Sequence, residues 1–168
     1  MIECFSPIAK DDARVLILGS IPSVASLQKR EYYGHKRNAF WYIMSKLLGF
    51  EDDLPYSKRA EIIVSHHIAI WDVINRCKRE GSLDSAIKNS KVNDFGKFFG
   101  EHREIKHIFF NGQRAYGEYK RYVLPILDDK YKKIPLSVLP STSPANAKMS
   151  RDKKLEEWKK IIKCMNLV

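Results

Sequence analysis

The sequence is poor in cysteine, glycine and proline, and it holds no long apolar run. The three cysteines, Cys4, Cys77 and Cys164, are scattered. They form neither an even disulfide set nor a CxxC metal pair. They also cannot supply the four thiolates of a standard iron–sulfur cluster. They read as reduced structural thiols, and neither a metal nor a cofactor is expected. No stretch of about 18 apolar residues is present, so no membrane span or membrane partner is expected. The opening MIECFSPIAKDD lacks a basic segment followed by an apolar one, which excludes a secretory signal and points to the cytoplasm, in association with the nucleoid. With 8 glycines and 7 prolines there is no linker, and no repeat or low-complexity tract occurs. A chain of 168 residues with these features is expected to be one domain, residues 1–168. Acidic residues are also in deficit. Thirty Lys and Arg face 20 Asp and Glu, a net charge of +10, which favours a polyanionic partner. Solubility alone would be served by the same excess, so charge by itself assigns no partner.

The apolar content of 44% is ample for a core. Four segments read as buried strands: Arg14–Ser20 (RVLILGS), His67–Asp72 (HIAIWD), Lys106–Asn111 (KHIFFN) and Ile134–Leu139 (IPLSVL). Pro135 marks the last as an edge or a strand start. Helices fall between them. Asn38–Leu48 places Phe40, Ile43, Met44, Leu47 and Leu48 at helical spacing, and Gly49 is the stop. Ser57–His66 and Gln113–Val123 read as helices, and Asn93 or Asp94 caps a short one through Phe99. Ser150 precedes a last helix with Leu155, Trp158, Ile161, Ile162 and Met165 on one face. This alternation predicts an α/β three-layer sandwich with a central four-stranded parallel sheet. Ligands of such folds sit outside the carboxyl ends of the strands. The loops after Ser20, Asp72, Asn111 and Leu139 are therefore expected to form the site.

The first of these, Gly19–Asn38 (GSIPSVASLQKREYYGHKRN), is long for a strand-to-helix connection, as functional loops often are. Gly19, Pro22 and Gly34 free or restrict its backbone. Tyr32 and Tyr33 could stack on an extruded base, and His35, Lys36 and Arg37 could hold flanking phosphates. Asn38, at a helix start, reads first as a cap and second as an amide able to orient water. Pro140–Ala147 (PSTSPANA) offers hydroxyls and backbone N–H groups to a phosphate, although the same residues make ordinary turns. Asp72 ends a strand, where it could accept a base N–H or cap a turn. Asn111-Gly112-Gln113 reads as a plain turn before a helix start that could hold an anion.

Taken together, GSIPSVASL, YYGHKRNAFW and STSPANA, with IAIWDVINRCKREGSLDSAI between them, resemble the hypoxanthine-DNA glycosylase family of the uracil-DNA glycosylase superfamily over nearly the whole chain. The resemblance implies that superfamily's compact α/β fold, flipping of a target nucleotide and hydrolysis of its N-glycosidic bond to leave an abasic site. It implies that Asn38 is the catalytic amide and that Tyr33 stacks on the base. Gly19 and Ser20 would present backbone groups to the base in the motif that runs on through Ile21 and Pro22. Asp72 would lie near a base-reading position. Superfamily relatives usually carry Asn or Asp where this chain has Ile21, which has no group to polarise water. By the same resemblance Ser141, Thr142, Ser143, Pro144, Ala145 and Asn146 would pinch the DNA backbone, with Ala145 as the wedge. Two positions depart from the family: Lys36 stands where Pro is common, and Ser23 where Gly is frequent.

The implied activity is monofunctional base excision without a lyase step. The partner is DNA, as damaged duplex or single strand, and a monomer is the expected state. For His35 a structural or phosphate-contact role suits better than acid–base chemistry. The same reaction on uracil, a catalytically silent DNA-binding module and a small-molecule nucleoside hydrolase are the alternatives.

Overall fold

The computed structural model describes residues 1–166. The four apolar runs are strands, each trimmed at its ends: β2 Val15–Gly19, β3 Ile68–Asp72, β6 His107–Asn111 and β7 Leu136–Leu139. They form one parallel sheet in the order β3-β2-β6-β7. Every residue of β2 and β3 is buried: β2 lies inside the sheet, and the outer side of β3 is covered by the segment that bridges Ile8 to Ile70. β7 is an edge and is buried only at Leu139. Pro135 precedes it and costs the ladder nothing, because its carbonyl still accepts from Ile108 N (3.0 Å).

A helical layer covers each face. On the face shared by Leu18, Trp71 and Phe110, Trp71 stacks on Phe98 of α4 (Phe95–Glu101), with centroids 4.9 Å apart. Phe110 meets Tyr116 of α5 (Gln113–Glu118) and Tyr119 of the π-helical turn that continues it through Val123. The predicted helix Gln113–Val123 therefore changes its winding midway. On the other side Phe40 of α2 (Phe40–Leu48) packs edge-on against Trp158 of α7 (Arg151–Trp158), 5.9 Å between centroids. α3 (Tyr56–Ser65) leads into β3.

Local signals explain the element ends. Gly49 closes α2 at φ 75°, a conformation other residues adopt at a cost. Asp94 caps α4 through Lys97 N (3.0 Å), and Ser150 caps α7 through Lys153 N (3.2 Å). Ser23, one of the two departures from the family pattern, caps α1 (Val24–Lys29) by accepting from Ser26 N (3.1 Å). The expected single C-terminal helix is divided at Lys159 into α7 and α8 (Lys160–Met165).

A second sheet was not foreseen. β1 (Ile2–Glu3), β4 (Ile74–Lys78) and β5 (Lys88–Val92) form an antiparallel trio in the order β1-β4-β5. Only Val73 separates β3 from β4. The loop expected directly after Asp72 is therefore a strand, and the connection comes later, at residues 79–87. A small apolar cluster of Ile21, Ile74, Cys77 and Ile87 lies under this second sheet. α6 is the short helix Asp129–Lys132. Among the described residues no helix is long and apolar enough to cross a membrane.

Candidate active site

The chain leaves β2 for β3 on one side and returns to β6 on the other, so the strand order reverses beside β2. At this switch point the strand ends diverge and leave a crevice. A cavity of about 360 Å³ opens there. Its floor is a row across the sheet. Gly19 pairs with Asp72, and Asn111 ends the strand on the opposite side of β2. Glycine is required in the middle of this row. A Cβ on Gly19 would lie 2.6 Å from Asp72 Oδ1 and 3.0 Å from the Tyr33 hydroxyl.

Tyr33 comes down over this row from the first loop. Its backbone is left-handed, at φ 55°, which is unusual for an aromatic residue and marks a position fixed by its surroundings. One ring face is covered by Phe40, stacked at 4.0 Å between centroids. The Tyr33 hydroxyl and Asp72 Oδ2 are both buried and have no protein hydrogen-bond partner. Two orphan polar atoms at the floor of one cavity are costly unless a ligand satisfies them. Burial, with a smaller push from Asp72, raises the Tyr33 phenol, so it stays a neutral donor. Burial also lifts the Asp72 carboxyl to about 7. Arg79 pulls against that shift and Asp84 adds to it.

Asn38 stands at the rim. Its Oδ1 accepts from Phe40 N (3.0 Å), so the amide caps the entry to α2 while its residue lines the cavity. Ala39 N donates to Thr142 O (3.0 Å), tying this rim to the serine-rich loop opposite. That loop is heavily anchored. Asn111 Nδ2 donates to Thr142 Oγ1, and Thr142 N donates to Asn111 Oδ1, both at 2.9 Å. Trp158 Nε1 donates to Pro140 O (2.9 Å), Lys154 Nζ to Ser143 O (3.2 Å) and Asn146 Nδ2 to Ser141 O (3.0 Å). Gly112, at φ 94°, lets the β6 end pass close to Ser141, whose Cβ would lie 3.1 Å from a side chain there. Ala145 is exposed at the tip.

The cavity thus brings together Gly19, Ser20, Ile21, Pro22, Tyr33, Asn38 and Asp72 with Ser141, Thr142, Ser143, Ala145 and Asn146. Two expected site residues are outside it. Pro144 does not line the cavity, because Asn146 N bonds Ser143 O (3.0 Å) in a turn that carries it away. His35 lies in an adjoining groove, where its Nδ1 accepts from Arg37 N (3.1 Å). The carbonyls of Gly19 and Ser20, expected to face a base, already accept from Val73 N (2.9 Å) and Ile74 N (3.0 Å). Each has one lone pair left.

Sequence reasoning missed three contributors. The segment Ser82–Ser85 forms a wall, with Ser20 Oγ donating to Asp84 Oδ1 (2.9 Å) and Val24 N to Ser82 Oγ (2.9 Å). Asn111 is a clasp rather than a plain turn residue. Lys154, only 5% exposed, supports the serine loop, and burial lowers its ammonium's pKa. Its signal was available: Lys154 sits four residues before Trp158 and seven before Ile161, on the apolar stripe of the last helices.

Fold and site define a class first: a parallel α/β protein whose cavity, floored by unpartnered polar groups, opens at the switch point between a long first loop and a serine-rich turn. The comparisons narrow it. The model of the uracil DNA glycosylase superfamily matches residues 6–164, and the chain belongs to that superfamily. It is 34% identical over 160 residues to a hypoxanthine DNA glycosylase of Methanosarcina acetivorans, covering 95% of this chain and 96% of that one. A hypoxanthine DNA glycosylase of Methanosarcina barkeri is 33% identical over 151 residues, covering 89% and 91%. The solution NMR structure of a Methanosarcina acetivorans protein, provisionally described as a uracil DNA glycosylase, shares the fold with a TM-score of 0.81 at 33% identity, covering 99% of both chains.

Proposed function

We propose that this protein is a monofunctional DNA glycosylase that releases hypoxanthine from deoxyinosine in DNA and leaves an abasic site. One observation carries the reading: the Asn38 amide, the Tyr33 ring and the Ser141–Asn146 loop surround a single cavity at the strand ends. The two Methanosarcina relatives named for hypoxanthine support the choice of base.

The +10 charge recruits DNA without regard to sequence. The serine loop holds the backbone through its hydroxyls and N–H groups, and the exposed Ala145 enters the space the flipped nucleotide vacates. The base then stacks on the ring face of Tyr33 that Phe40 leaves free. Asp72 takes up a hydrogen bond to its polar edge, satisfying one of the two orphan atoms. Cleavage of the C–N bond passes through an oxocarbenium-like sugar and an anionic leaving base. Phe40 N–H occupies one lone pair of Asn38 Oδ1 and fixes the amide plane. The remaining lone pair orients a water toward the sugar, preorganised rather than acting as a base. Ile21, buried in the apolar cluster, contributes shape and no chemistry. His35 serves the groove beside the cavity. The protein acts as a monomer.

Duplexes carrying deoxyinosine, deoxyuridine or deoxyxanthosine, incubated with the protein and then treated with alkali, test the reading. Free hypoxanthine and alkali-dependent breaks at deoxyinosine are expected. Release of uracil alone moves the assignment to the other base. DNA binding without release of any base makes the protein a binding module and removes the proposal.

A further inference from the structure

A second depression, of about 460 Å³, lies beside the cavity, and Tyr33 and Asn38 line both. Five lysines and arginines line it, against two carboxylates. They come from separate parts of the chain: Lys29, Lys36 and Arg37 from the first loop and its helix, Arg59 from α3 and Arg151 from the start of α7. Two guanidiniums are held on aromatic rings. Arg151 lies 3.6 Å from the centroid of Tyr42, and Arg59 4.7 Å from that of Trp41. A guanidinium held over a ring keeps N–H groups available to an oxyanion, and Arg59 does so although its Nε donates to Leu54 O (2.9 Å). Among the described residues, none of the ion pairs takes up Lys36, Arg37, Arg59 or Arg151.

We infer that this groove is the seat of the DNA strand adjoining the flipped nucleotide, with Lys36 and Arg151 each contacting a backbone phosphate. The inference rests on the reading of the cavity as the place of the extruded base. A strand continuing out of that cavity crosses the shared Tyr33–Asn38 wall and enters the groove directly. The serine loop grips the backbone on the other side of the same cavity. The two sets of contacts hold the strand on both sides of the nucleotide under attack, which explains why cations from α3 and α7 converge beside a loop that carries the chemistry. The departure at Lys36, where family members commonly have proline, falls on this surface and adds a phosphate contact.

The test is equilibrium binding of the full-length protein to a short, undamaged, fluorescein-labelled duplex, read by anisotropy across a range of salt. Each lost phosphate contact lowers the slope of log K against log salt by about 0.9. Lys36→Gln with Arg151→Gln is therefore expected to lower it by about 1.8, and the exposed loop variant Lys36→Gln alone by about 0.9. Lys106→Gln with Lys133→Gln is the matched control. It removes the same charge from a basic patch at the opposite end of the sheet, and its slope is expected to equal the parent's. Unchanged slopes for the groove variants overturn the inference. So do equal losses for groove and control pairs, since these report net charge alone. Stronger retention of the parent on a polyglutamate peptide than on DNA assigns the groove to an acidic protein partner and also overturns it. No arm depends on base release, so a protein that binds with this pattern and excises nothing loses the proposed activity and keeps the groove.

Discussion

Asn111 and Thr142 are locked by two reciprocal hydrogen bonds of 2.9 Å, one to the threonine hydroxyl and one from its backbone N–H. Thr142 is wholly buried, and its carbonyl accepts from Ala39 N, next to Asn38. The end of β6, the serine loop and the rim of α2 are thereby joined in one chain of bonds. This relay sets how far the Asn38 amide stands from the serine loop.

Thr142→Val keeps the shape and removes the acceptor of Asn111 Nδ2. A buried amide left unpaired costs about 1–3 kcal/mol. Thermal unfolding of this variant is expected to show a clear loss, together with slower base release, because the rim loses its reference point. Thr142→Ser retains both bonds and is expected to stay close to the parent in both measurements.

Tyr33→Phe separates stacking from hydrogen bonding. The ring and its contact with Phe40 persist, and the unpartnered hydroxyl is removed. Without substrate the variant is expected to be as stable as the parent or more so, since a buried orphan hydroxyl contributes only cost. With substrate, kcat/KM is expected to stay within a few-fold of the parent, because a hydroxyl in the plane of the ring does not reach the edge of a base stacked on that ring. A fall of tenfold or more would give the hydroxyl a direct part in base recognition. Tyr33→Ala loses the stack and is expected to be slower.

Asp72 gives the site a pH dependence of defined sign. Its carboxyl is held at about 7 in the fold by burial, against an ordinary value of 3.8. Between these values the native state binds more protons than the unfolded chain. Stability from this group therefore falls as pH rises across that window and is level above it. The full effect is on the order of 4 kcal/mol at most. Asp72→Asn stays neutral throughout. Its Tm relative to the parent is expected to rise from about pH 5 to about pH 8. A constant difference across that range would show that the carboxyl does not titrate there.

Much of the fold was legible because the four central strands are continuous apolar runs closed by Gly19, Asp72, Asn111 and Leu139. Gly19, Asp72 and Asn111 proved to be the row that floors the cavity, while Leu139 is buried in the core. The small sheet was not legible: β1 has two residues, and β5 reads KNSKV, with no alternation for a period-two pattern to catch. Asn38, Tyr33 and the serine loop were legible as motifs, but their relation to one another was not. At Asn38 the two readings, a cap and an amide at the cavity, are not exclusive, because the side chain that accepts from Phe40 N also lines the cavity. His35 lies beside the cavity rather than in it, because adjacency in a loop does not fix direction. Tyr33 turns left-handed just before it, and His35 faces the groove instead of the cavity. Lys154 was lost among many surface lysines, although its place on an apolar stripe set it apart.

Base release by Asn38→Ala from a deoxyinosine duplex, measured in single turnover beside binding of the same duplex, tests the central claim most directly. The account predicts that release falls by at least about a hundredfold, the usual worth of one preorganised polar group, with affinity within a few-fold of the parent. Hypoxanthine released at the parent's rate by this variant would contradict it.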